Sequence, residues 1–152
     1  MKTEIKAKPA RQQYLLRGCA VWCVIIVAES LHGTAREIWL KPLVGDFRAR
    51  QLAFFSGMVL ILTIALLFVR WLHTESKRQL LNIGMLWLLL TLAFEFALGL
   101  FVLGDSWGRM LENYNLLRGG LMGLGLVWLL FAPLLAVRLR GAMASNGEVT
   151  QV

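Results

Sequence analysis

Four long apolar runs divide the chain, each bounded by short basic or polar clusters. The second is the cleanest: Gln51 to Val69 carries no charge and closes on Arg70 and Trp71. The third, Leu80 to Leu103, holds one charge, Glu95; the fourth, Gly119 to Val137, holds none and is followed by Arg138 and Arg140. The first is interrupted: Gly18 to Ala28 is apolar, Glu29 and His32 intervene, and the helical pattern runs on to Leu40. Unbroken apolar runs, in place of a stripe at helical period, mark helices surrounded by lipid. At about 1.5 Å per residue each run crosses the roughly 30 Å hydrocarbon layer. The fold expected is all-α: a polytopic membrane protein built as a four-transmembrane-helix bundle, with spans at about 15–38, 51–71, 80–103 and 119–137. Residues 1–14 read as a basic cytoplasmic tail, and 139–152, small and polar without periodicity, as a flexible one. The basic start, apolar middle and Ala28-Glu29-Ser30 are similar to a secretory signal with its cleavage site. The charge at that site and the continuing helical pattern favour a retained span.

Composition agrees with this picture. Of 152 residues, 58% are apolar and 16% charged, too few polar groups to cover one soluble core. Several of the six Trp lie near run ends, where an indole buries its rings in the interface and keeps its N–H wet. The net charge of +7 does not point to nucleic acid, because the basic residues fall in short clusters at run ends and form no continuous patch. Those clusters set topology instead. Lys2, Lys6, Lys8, Arg11 and Arg17 precede the first span, Arg70, Lys77 and Arg78 join the middle two, and Arg138 and Arg140 follow the last. The other two connections share Arg36, Lys41, Arg48, Arg50, Arg109 and Arg118. The excess places both termini in the cytoplasm. Short connections and the lack of an Asn-x-Ser/Thr acceptor suit a bacterial inner membrane. Thr150-Gln151-Val152 matches a PDZ-type C-terminal ligand, a pattern too short to carry weight.

An internal repeat is suggested when the halves are superposed at a constant offset. Gly18 meets Gly84, Glu29 meets Glu95, Gly33 meets Gly99, Ala53 meets Gly119 and Gly57 meets Gly123. Each odd span then carries Glu-x-x-x-Gly, and each even span opens with a small-xxx-small step, Ala53–Gly57 and Gly119–Gly123. Such steps let helix backbones approach closely in lipid. The expected result is two hairpins related by an axis along the membrane normal. A chain rich in Gly and Leu produces such matches by composition as well.

Chemistry concentrates at Glu29 and Glu95. A carboxylate near a helix centre costs about 2.5–3.5 kcal/mol on insertion scales, so it faces the bundle interior and finds a partner. Both lie in the outward parts of parallel spans, at similar depth. His32, one turn beyond Glu29, Arg36, Arg50 and Arg118 are the expected partners. Three readings follow. The cluster fixes helix assembly through buried ion pairs; or the carboxylates bind a proton, ion or solute; or Glu29-Ser-Leu-His32, a Glu-x-x-His step, ligates metal. The third is the weakest, since the position equivalent to His32 in the second half is Leu98, which cannot ligate. No metal or other cofactor is therefore expected. Cys19 and Cys23 lie on one side of the first helix and read as packing residues, because a disulfide at that spacing does not fit a regular helix. No Gly-x-Ser-x-Gly elbow, phosphate loop or His-Glu-x-x-His helix occurs.

The function expected first is a non-enzymatic accessory or structural subunit of a membrane assembly, either a homo-oligomer or part of a larger complex. The Gly119, Gly120, Gly123 and Gly125 face is its association surface. The alternative is a small oligomeric transporter or channel that uses Glu29 and Glu95.

Overall fold

The computed structural model describes residues 8–74, 76–102, 104, 106–112, 114–115 and 120–148. Among them there is no strand. Helix α1 (Lys8–Ala35) continues through a π-helical turn, Arg36–Leu40, into the short α2 (Lys41–Val44). In that turn the Lys41 N–H bonds to the Arg36 carbonyl five residues back, directly before Pro42, which has no N–H to offer. Gly45 then reverses the chain in a single residue at φ 83°, a conformation that side chains resist. Helix α3 (Asp46–Phe68) follows. A turn through His73 leads to Ser76, whose hydroxyl accepts the Gln79 N–H and caps α4 (Lys77–Ala97). A second π turn, Leu98–Val102, ends that span. The short α5 (Trp107–Glu112) and the long α6 (Met122–Glu148) complete the order.

All four expected spans are present: apolar helical stretches cover Gln13–Val44, Asp46–Phe68, Lys77–Val102 and Met122–Gly141. Their ends differ from expectation. The first helix starts inside the supposed tail, at Lys8, and α6 continues past the last apolar residues to Glu148. Ala142, Met143 and Ala144 are strong helix formers, and they extend a helix that the membrane has already nucleated.

The helices form a ring in the order α1, α3, α6, α4, each packed on its two neighbours. The parallel pairs, α1 with α4 and α3 with α6, are therefore adjacent. A two-fold axis along the bundle that exchanged the hairpins would place both of those pairs across the same point. In this ring they are opposite edges. The two-fold relationship expected from the repeat therefore does not hold.

Packing divides the bundle into two halves along its axis. In the half nearest the chain ends, Tyr14, Val21, Ile64, Val69, Leu72, Ile83, Trp87, Ala132 and Ala136 form a continuous core. At Gly84 the missing side chain lets α4 lie on the Leu130 carbonyl of α6; a Cβ there would overlap that oxygen. Large apolar side chains such as Leu67, Leu89 and Val127 are exposed on the outside, as a lipid-facing surface requires. In lipid, burying apolar area does not drive association, so helices are held by close packing and by hydrogen bonds between them. Three indoles serve this purpose. Trp87 Nε1 donates to Gly18 O at 2.8 Å, Trp22 Nε1 to Thr91 Oγ1 at 3.0 Å and Trp128 Nε1 to Met58 O at 3.0 Å. Near the chain ends Arg140 donates to Leu66 O at 2.5 Å, and Arg17 to Trp71 O at 3.3 Å while lying over the Trp71 ring.

Candidate functional site

The other half of the bundle, toward Gly45, holds a half-open cavity of about 670 Å³ between all four long helices. It is lined by α1 from Ile25 onward, α3 up to Ile61, α4 from Thr91 and α6 up to Leu129, so its floor is the packed core. Both intramembrane carboxylates, Glu29 and Glu95, line it. The helix directions put the two residues at similar depth, since α1 and α4 are parallel and adjacent, and the packing turns both toward the cavity. Phe54, Met58, Phe94 and Trp128 supply apolar and aromatic wall. Trp128 has its N–H committed to Met58 O, and Phe94 is held edge-on by Trp22 at 6.3 Å between ring centroids.

Glu29 reaches from α1 onto α3 at Gly57. Its Oε2 lies 3.1 Å, and its Oε1 3.3 Å, from where a Cβ on Gly57 would stand. The glycine that makes room for this carboxylate is thus across the helix interface. Gly33, one turn further along α1, has nothing within 4 Å of its Cβ position. His32 Nδ1 lies 3.7 Å from Glu29 Oε2, and its Nε2 shares a hydrogen bond of 2.8 Å with Ser56 Oγ, so the imidazole bridges α1 to α3. Glu29 Oε1 is buried without a hydrogen-bond partner, and no other buried side-chain polar atom among the described residues is left so. Such an acceptor forfeits its hydration with no return, a cost of about 1–3 kcal/mol and more for a charged group.

Two of the three arginines expected to pair with these carboxylates, Arg36 and Arg50, are engaged elsewhere. Arg36 binds Glu37 at 2.6 Å, Lys41 bridges Glu37 at 2.9 Å and Asp46 at 3.3 Å, and Arg50 clasps Asp46. These five residues form a chain of alternating charge along the rim of the cavity. Glu37 and Lys41 were not singled out in the sequence, although Glu37–Lys41 and Asp46–Arg50 have the i,i+4 spacing that predicts such pairs. Glu29 and Arg36 face the same cavity, but Arg36 has a nearer acidic neighbour on its own turn.

Next to Glu95 but outside the cavity lining, Phe96 packs on the segment that follows α4. Its ring packs on Trp107 at 5.7 Å and stacks on Tyr114 at 6.4 Å. Burial and the neighbouring Glu95 carboxylate raise the Tyr114 phenol above its ordinary range. Arg118 and Gly119 lie outside the described residues. Of the packing candidates, Ala53 and Gly57 are buried on α3, whereas Gly123 has nothing within 4 Å of its Cβ position and Gly125 only the Phe54 ring, at 3.9 Å. Ser56 and Thr91 were not foreseen; their partners lie far off in sequence, and no local spacing reveals them. Cys23 is exposed on the outer side of α1 and Cys19 half-buried, both as free thiols. Among the described residues no three His, Cys, Asp or Glu side chains converge as metal ligands.

The chain matches no protein-family model, and neither the curated proteins nor the solved structures include one significantly similar to it.

Proposed function

We propose that this membrane protein is a small-solute carrier whose cavity, on the side that the charge count places outside, holds a solute through Glu29. The observation that carries this reading is the Glu29 carboxylate in the lining of a 670 Å³ cavity, its Oε1 left without a hydrogen-bond partner among the described residues. A carboxylate kept for helix assembly would be expected to take Arg36 or Arg50 as its partner; both guanidinium groups are instead bound to Glu37 and Asp46. The volume falls in the roughly 300–1,000 Å³ range of small-molecule sites. Because the other half of the bundle is packed, passage requires rearrangement of the helices, which favours a carrier over an open channel.

The test is native mass spectrometry of the protein from its own membranes in mild detergent, beside Glu29→Gln. The carrier reading expects a small-molecule adduct on wild type that is lost in Glu29→Gln, with abundance unchanged. A wild type free of adduct, with a Glu29→Gln variant that is poorly produced, would sink it.

A second reading, an accessory subunit in a homo-oligomer or larger complex, draws support from Gly123, whose Cβ position meets nothing within 4 Å. Small residues facing outward admit a second helix at short range. A stoichiometric co-purifying protein in the same experiment would favour it. Either reading is consistent with a bacterial inner membrane.

A further inference from the structure

We propose that the solute held in this cavity is an organic ammonium ion with an apolar body: a primary or secondary amine that places an N–H on the Glu29 carboxylate. The inference rests on the carrier reading and specifies its substrate class. Three features of the cavity point to it.

The first is charge. The cavity is lined by Glu29, Glu37, Asp46 and Glu95 against the guanidinium groups of Arg36 and Arg50. Since Arg36 is tied to Glu37 and Arg50 to Asp46, the two deeper carboxylates are left to set the sign of the ligand. An anion would meet these carboxylates in a medium where like charges repel strongly. A cation entering the same place converts a costly buried charge into a pair.

The second is the wall. Phe54, Phe94 and Trp128 surround the remaining space, and the Trp128 N–H is already used. These side chains offer apolar surface and aromatic faces, which attract an ammonium and cover a hydrocarbon or aryl body. A bare metal ion needs several converging oxygen or nitrogen ligands in place of such a wall.

The third is hydrogen bonding, and it separates amines from quaternary ammonium ions. Glu29 Oε2 has His32 beside it, whereas Oε1 has no donor. A trimethylammonium group brings charge but no N–H, so the carboxylate gains no hydrogen bond from it. A primary ammonium supplies charge and donor together, and charge-assisted hydrogen bonds of this kind are the strong ones.

The experiment is a binding titration on the intact protein in phosphatidylcholine nanodiscs, with empty nanodiscs as the control for partition into lipid. The probes are benzylammonium, benzyltrimethylammonium and benzoate, which share a body and differ in charge and donor. Benzylammonium is expected to bind at least tenfold more tightly than benzyltrimethylammonium, with no binding of benzoate. Glu29→Gln should weaken benzylammonium at least tenfold, and Glu29→Asp, which keeps the charge, should weaken it less. The order of the three probes on wild type decides the matter even where a variant fails to fold. Equal binding of the two cations, or preference for benzoate, would overturn the ammonium proposal and leave the carrier reading standing. Binding of none of the probes, with no native adduct on the purified protein, would overturn both. Competition by added phosphatidylethanolamine would assign the amine to a lipid headgroup, and its absence to a free solute; the ammonium assignment holds in each.

Discussion

Glu29 on α1 occupies the space that a side chain on Gly57 of α3 would fill, with both carboxylate oxygens within 3.3 Å of the missing Cβ. The contact joins a charge to a gap, and it gives Gly57 a role different from close helix packing. Gly84 shows the contrast: there the neighbour is the rigid backbone of Leu130. The same kind of residue thus serves two purposes in this bundle, and the two substitutions to alanine should behave differently.

Gly57→Ala should be tolerated by the fold. Its methyl group meets the flexible end of a Glu side chain, which gives way by a few tenths of an ångström. The expected stability change is within about 1 kcal/mol, while binding at Glu29 weakens by about tenfold, equivalent to about 1.4 kcal/mol. Equilibrium unfolding in mixed micelles and the benzylammonium titration read the two effects separately. A stability loss above about 3 kcal/mol would show that Gly57 is a packing residue after all.

Gly84→Ala should cost far more, because neither α4 nor the Leu130 carbonyl can move aside without parting the helices. Overpacking of this kind costs about 1–3 kcal/mol and more where the backbone is the obstacle. The same unfolding assay should rank Gly84→Ala well below Gly57→Ala in stability. Equal stability of the two variants would contradict the contact described here.

Trp87→Phe removes the donor to Gly18 O while keeping an aromatic ring in the fully buried site between α4 and α1. Interhelical hydrogen bonds in bilayers are worth about 0.6–2 kcal/mol, and a loss of that size is expected. Trp128→Phe, which loses the bond to Met58 O in the cavity wall, should alter binding as well as stability. A Trp87→Phe variant that weakens binding as much as Trp128→Phe would break this division.

Tyr114 should titrate above free tyrosine, with burial the larger cause and the Glu95 carboxylate the smaller. The chain has only one other tyrosine, Tyr14, so Tyr14→Phe leaves a single phenol to follow by ultraviolet absorbance. Glu95→Gln should lower the midpoint without restoring the free value. A folded value above the unfolded one means that the folded state holds the proton more tightly. The associated stability is therefore present below about pH 10 and is lost as pH rises through the folded midpoint. An unchanged midpoint in Glu95→Gln would separate the two groups.

The number and type of helices were legible in the sequence because lipid imposes its own condition: a spanning segment must satisfy its backbone internally and expose apolar side chains along its length. The runs ending at Val69, Leu103 and Val137 meet that condition without reference to any other part of the chain. Glu29 and Glu95 stood out as candidates for the same reason, since a charge inside such a run is costly wherever the helix packs. What the carboxylates pair with was not. The rim chain from Arg36 to Arg50 depends on competition among nearby charges, and the nearest acids, Glu37 and Asp46, took the arginines. The seat of Glu29 on Gly57, its neighbours His32 and Ser56, and the bonds from Trp22, Trp87 and Trp128 join residues on different helices. Their meeting depends on ring order and on how far each helix slides and turns against the next. A uniformly apolar helix leaves those variables open, because in lipid every face is equally acceptable to the solvent. Interhelical packing and hydrogen bonds alone fix them, and so the tertiary structure alone decided that two costly carboxylates would share one cavity.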